Sequence, residues 1–141
     1  MSMVAQREQV WVASIDDKPG GLCEKLTALA QAGANLTFVI ARRADDQPGQ
    51  GVVFVTPITG DGQKQAAMAA GFHASSSMHA VHVEGPDRAG LGEAVTRKLA
   101  DAGLNLRGLS AASIDGKCVM HLALDNEADA AKAADLLRHV R

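Results

Sequence analysis

Asp17–Leu36 reads DKPGGLCEKLTALAQAGANL, and Asp87–Leu106 reads DRAGLGEAVTRKLADAGLNL. The two stretches superpose at a constant offset of 70 residues, which sets Asp17 on Asp87, Gly20 on Gly90, Leu29 on Leu99, Gly33 on Gly103, Asn35 on Asn105 and Leu36 on Leu106. A repeat of this length decides the architecture before any single motif does. Each copy reads as a turn, an amphipathic helix and a helix stop that feeds a strand. Pro19–Gly20 suits the turn. Leu22, Leu26, Leu29 and Ala30 share one helix face. Gly33 supplies the left-handed residue that ends the helix, and Asp17 is a candidate cap of the turn or the helix start.

Working outward, Gln9–Ile15 alternates with strand periodicity, Trp11, Ala13 and Ile15 on one side and Val10 and Val12 on the other. A helix over Gly20–Ala32 follows, then a strand over Asn35–Arg42 rich in β-branched and aromatic residues. The turn-rich ADDQPGQG leads to a strand over Val52–Ile58, with Pro57 marking its end or an edge. A helix covers Asp61–Ala70, and Phe72–Ser77 is a short edge strand or a linker. The pattern restarts with a strand at Met78–Glu84, a helix over Leu91–Ala102, and strands over Leu104–Ser113 and Lys117–Leu124. Asp115–Gly116 joins these last two as a hairpin. A helix over Glu127–His139, with Asn126 as N-cap, closes the chain.

The fold class is therefore α+β: two ferredoxin-like units in tandem, 7–77 and 78–141, with antiparallel sheets and helices on one face. The second unit shows no last strand. Its open edge calls for a cover, either the N-terminal lead Met1–Gln6, which reads as poorly ordered, or a partner chain. The sheet face away from the helices is still apolar on alternate residues, so it too calls for a partner surface.

Composition narrows the function. The 141 residues are 47% hydrophobic and 3% aromatic with a net charge of −2. Much of that hydrophobic share is alanine, which packs helices closely but contributes little area per residue. No basic patch with interleaved aromatics exists, so nucleic acid is not an expected partner. No apolar run is long enough for a membrane span. The N-terminus has no basic-then-apolar leader, and two cysteines make no disulfide framework. A cytoplasmic protein is the expectation.

The loops Asp17–Gly20 and Asp87–Gly90 carry most of the chemistry. Each joins a strand end to a helix start, where unpaired N–H groups and a partial positive charge favour a carboxylate or phosphate. A glycine there lets a ligand approach the backbone. Asp17 or Asp87 would take an ammonium group, so the two ends of a free amino acid could both be read. A capped structural turn needs the same residues. Asn35 and Asn105 sit where a helix stop meets a strand, a position that backbone geometry alone explains; an amide contact to a ligand is the functional reading.

No catalytic residue, metal or cofactor is expected. His79 and His82 are three apart in a strand and face opposite sides, and His121 lies opposite Met120 and Leu122. An enzyme would need a polar cleft gathering at least two of His73, His82, His121 and the loop aspartates. Cys23, in a first helical turn, reads as a partly buried inert thiol despite a position that favours the thiolate, and Cys118 as strand packing. The glycines fit neither a Walker loop nor a dinucleotide fingerprint.

The two repeats resemble the ACT domain, the small regulatory module of many amino-acid-responsive enzymes and regulators. Asp17, Pro19, Gly20, Leu22, Gly33, Asn35 and Leu36 match its pattern in the first copy. Asp87, Gly90, Gly103, Asn105 and Leu106 match in the second, where Ala89 replaces the proline and Gly92 the leucine. The resemblance covers most of the chain. It implies a non-catalytic module that binds a small ligand, often an amino acid, between paired units and through the first strand–helix loops. The residues so implicated are Asp17, Lys18, Pro19, Gly20, Gly21, Leu22 and Asn35, with Asp87, Gly90, Leu91 and Asn105. It further implies a homodimer, an eight-stranded sheet across paired units, and a partner enzyme or regulator. A protein-interaction module with no small ligand is the alternative.

Overall fold

The computed structural model describes residues 3–140. Its elements are β1 (Val4–Glu8), β2 (Trp11–Asp16), α1 (Gly21–Gln31), β3 (Phe38–Arg43), β4 (Gln50–Thr56), α2 (Gly60–Ala69), β5 (His73–Ala74), β6 (His79–Pro86), α3 (Leu91–Asp101), β7 (Leu106–Ile114), β8 (Lys117–Leu124) and α4 (Glu127–Leu137). Among the described residues no helix is long and apolar enough to cross a membrane.

The chain forms two compact units, one over Gln9–Ser75 and one combining the segment up to Glu8 with everything from Ser76 onward. Each has a four-stranded antiparallel sheet, β5-β2-β4-β3 in the first and β1-β6-β8-β7 in the second. The two orders are equivalent when β1 is set on β5. β1, which precedes the repeat, thus takes in the second sheet the edge place that β5 takes in the first.

The lead expected to be poorly ordered therefore needs correcting from Val4 on; Met1 and Ser2 lie outside the described residues. Strand β1 pairs with β6 from Val4↔Glu84 to Glu8↔Ala80, which removes the open edge of β6 as a template for stray pairing. Met3 and Ala5 are buried in the core with Val81, Val83, Leu99, Met120 and Leu137. Arg7 forms a forked ion pair with Glu127 at the start of α4, and Arg138 Nε donates to the Ala5 carbonyl at 3.0 Å. Glu127 is drawn down to about 2, chiefly by the hydrogen bond from Arg7.

In the Gln9–Ser75 unit the predicted alternation holds. Trp11, Ala13 and Ile15 are buried and pack with Leu29, Val53, Val55, Ala67 and Phe72. Phe72–Ser77 resolves into the two-residue edge strand β5, paired with β2 through Trp11↔Ala74 and Val12↔His73. The expected Asp115–Gly116 turn has both residues in the left-handed region, φ 53° and 75°, as a two-residue hairpin requires. Asn126 caps α4, its side chain accepting from the Asp129 amide at 2.8 Å.

Candidate functional site

The first strand–helix loop is shaped by its backbone. Gly20 is the N-cap residue of α1 with φ 83°, and Gly90 holds the same place before α3 with φ 83°. A non-glycine residue in that region is strained, so the repeat of glycine is explained by conformation. Neither helix start receives a side-chain cap, which corrects the reading of Asp17 as a cap. The amides of Gly21 and Glu24 donate to the Lys18 and Gly20 carbonyls. Those of Leu22 and Cys23 have no backbone acceptor among the described residues, as the first turn of a helix leaves them. Gly21 sits so close to the preceding strand that a Cβ there would lie 2.2 Å from the Asp16 carbonyl oxygen.

Asp17 turns toward β3 instead. Arg43 Nε donates to its Oδ2 at 2.5 Å and a second guanidinium nitrogen to Oδ1 at 3.4 Å. That bond raises the Arg43 pKa above its ordinary value. In the second copy Ser113 Oγ donates to Asp87 Oδ1 at 3.0 Å. Arg43 and Ser113 are themselves 70 residues apart, so the repeat conserves the position of the partner and changes its charge. Asp17 is compensated by a cation, whereas the partner of Asp87 at the matching position is a hydroxyl.

A cleft of about 220 Å³ opens beside the first loop, lined by Ile15, Leu22, Ala41 and Gly51 with Asp16, Asp17, Lys18, Arg42 and Arg43. Of the predicted residues, Asp17, Lys18 and Leu22 border it. Pro19 and Gly20 are exposed on the loop and Gly21 is buried under it. Asn35 lies beyond the far end of α1, roughly 16 Å of helix away, and Asn105 stands likewise after α3; both are exposed. Asp87 and Gly90 are exposed on the second loop, whereas Leu91 is 4% exposed and belongs to the core of its unit. Arg42, Arg43, Ala41 and Gly51 were not anticipated. They come from β3 and β4, and the registers Ile15↔Gly51 and Arg43↔Gly51 bring them to the loop. Cys23 is exposed, not partly buried, while Cys118 is buried in strand packing as expected.

No family model and no curated protein matches the sequence. Solved structures do match. The protein BT0572 of Bacteroides thetaiotaomicron superposes with a TM-score of 0.76 at 15% identity, over 93% of this chain and 88% of that one. The ligand-free regulatory subunit of aspartate kinase from Thermus thermophilus gives 0.63 at 16% identity, over 97% of both chains. A structure of aspartokinase alpha and beta subunits gives 0.64 at 16% identity, over 97% and 95%. At these identities the likeness is one of fold: a tandem two-unit α+β arrangement.

Proposed function

We propose that this chain is a non-catalytic regulatory module that binds a free amino acid in the cleft beside Asp17–Leu22. The observation that carries the reading is the pairing of charges around one small space. Lys18, Arg42 and Arg43 border the cleft together with Asp16 and Asp17, over an apolar floor of Ile15, Leu22 and Ala41. The amide of Leu22, which has no backbone acceptor among the described residues, adds partial positive charge beside the cleft. An α-carboxylate is suited to that side and an α-ammonium to the aspartates. The volume is below the range of about 300–1,000 Å³ typical of drug-sized ligands, which favours a small metabolite. The fold likeness to structures described as aspartate kinase regulatory subunits supports a regulatory role.

Binding would exchange partners at Asp17. The ligand carboxylate takes over part of the Arg43 guanidinium, and the released Asp17 oxygen meets the ammonium. Both residues of this pair are partly solvent-exposed, and exposed ion pairs are worth only about 0–1 kcal/mol, so the exchange is cheap. Thermal shift of the full chain with each common amino acid tests the proposal. A ligand present at 100 times its Kd adds about 2.7 kcal/mol, enough to raise Tm by several degrees. Arg43→Ala should abolish the shift while leaving the unliganded Tm nearly unchanged. It is a cleaner probe than any substitution of Gly20, whose positive φ would be strained. A flat response to every amino acid would favour the ligand-free interaction module, in which the Arg43–Asp17 bridge is simply a loop tether.

A further inference from the structure

The second unit contains a cluster that plays no part in this reading. β6 and β8 pair so that His82 stands directly opposite His121. Their rings lie 4.9 Å apart, inclined at 65°. Both point to the sheet face away from the helices, since Val81, Val83, Met120 and Leu122 fill the core on the other face. Glu8, at the end of β1, reaches the same place. Its Oε1 is 2.6 Å from His121 Nδ1 and its Oε2 3.9 Å from His82 Nδ1. All three side chains are largely buried, at 14%, 15% and 11% exposure for Glu8, His82 and His121.

We infer that Glu8, His82 and His121 form a binding site for a divalent transition-metal ion of the zinc class. One potential ligand atom from each residue lies within 4.8 Å of the other two. Tetrahedral zinc with bonds near 2.0–2.2 Å needs ligand atoms about 3.3 Å apart, so modest χ rotations close the site. Two imidazoles and a carboxylate are a borderline-soft donor set that suits zinc and its neighbours and not magnesium or calcium. Three protein ligands leave a position for water or an incoming group.

The surroundings add an independent argument. His82 Nε2 lies 3.1 Å from Glu84 Oε1. A ligating histidine almost always donates its other ring nitrogen to such a group, which fixes the tautomer and turns the opposite nitrogen toward the metal. Here that opposite nitrogen is Nδ1, the one facing Glu8. Lys117 in turn holds Glu84, its Nζ 3.5 Å from Oε2. The cross-strand register thus gathers two imidazoles and the Glu8 carboxylate at one place, with Glu84 behind His82.

Equilibrium dialysis of the untagged, chelator-treated full chain against Zn(II) tests the site, with bound metal counted by elemental analysis. One tightly held equivalent is expected, and Co(II) in its place should give the visible absorption of a four- or five-coordinate ion. Glu8→Gln and His82→Gln should each lower affinity at least 100-fold. Glu84→Gln should lower it by about 10–100-fold, while His73→Gln and His139→Gln leave it unchanged. Circular dichroism of each variant verifies folding, and the near-isosteric Glu8→Gln decides the matter if a histidine variant unfolds. Failure to retain zinc, or retention undiminished by Glu8→Gln in a folded protein, would overturn the assignment and leave a hydrogen-bonded His–Glu network.

Discussion

Replacing Met3 by alanine should destabilise the protein by about 2–3 kcal/mol. Met3 is 5% exposed and belongs to the core of the second unit. Its sulfur occupies the space over Gly85, where an added Cβ would lie 2.1 Å from it. Fully burying a methionine side chain is worth about 1.5–3 kcal/mol, and truncation adds a cavity term that brings methionine-to-alanine costs to roughly 2–5 kcal/mol. β1 is an edge strand and can settle inward, so the lower part of that range applies. For a chain of this size the loss corresponds to about 5–10 °C in Tm. Urea denaturation should show a lower midpoint at an unchanged slope. Val4, the next residue, is 50% exposed and provides the control: Val4→Ala should change stability by no more than about 0.5 kcal/mol. Equal, small effects at the two positions would refute the placement of β1 as the fourth strand of the second unit.

Local geometry and charge set three further outcomes. Gly21→Ala forces a Cβ against the Asp16 carbonyl; overpacking of about 1–3 kcal/mol outweighs a helix-propensity gain of up to about 1 kcal/mol, so the variant should melt lower. Gly92→Ala, in the first turn of α3 with open space around it, should instead raise stability by about 0.5–1 kcal/mol; differential scanning calorimetry of both variants checks the opposite signs. Glu127 has a folded pKa of about 2 against an ordinary value of 4.5. Its contribution is present above the unfolded value and lost as pH falls through the folded one. Relative to Glu127→Gln, the wild type should therefore lose stability between about pH 4.5 and 2 and hold a constant difference at neutral pH, as acid titration of the unfolding midpoint would show.

Much of the fold was legible because the repeat carries its own phase. The helices over Leu22–Leu29 and Leu91–Leu99 and the Asp115–Gly116 hairpin follow from periodicity and turn chemistry that are local. The strand VAQRE was not legible, since two small apolar residues followed by polar ones give no alternation. Its strand state depends on an edge some 80 residues away. The capping signal at Asp17 is local, whereas its partner Arg43 is brought in by β3. The repeat did hold a clue: Arg43 and Ser113 occupy matching positions and serve matching aspartates. The motif groups Asn35 and Asn105 with the loops, yet α1 and α3 each stand between the asparagine and its own loop. For His82 and His121 local spacing predicts no shared site; cross-strand register, which no local spacing reveals, sets them opposite one another.

Calorimetric titration of the common amino acids into the full chain probes the central proposal most directly. At least one should bind with saturating heat, and Arg43→Ala should remove that heat without unfolding the protein. The absence of heat for every amino acid, or a heat unaffected by Arg43→Ala, would contradict the assignment of the Asp17–Leu22 cleft as the ligand site.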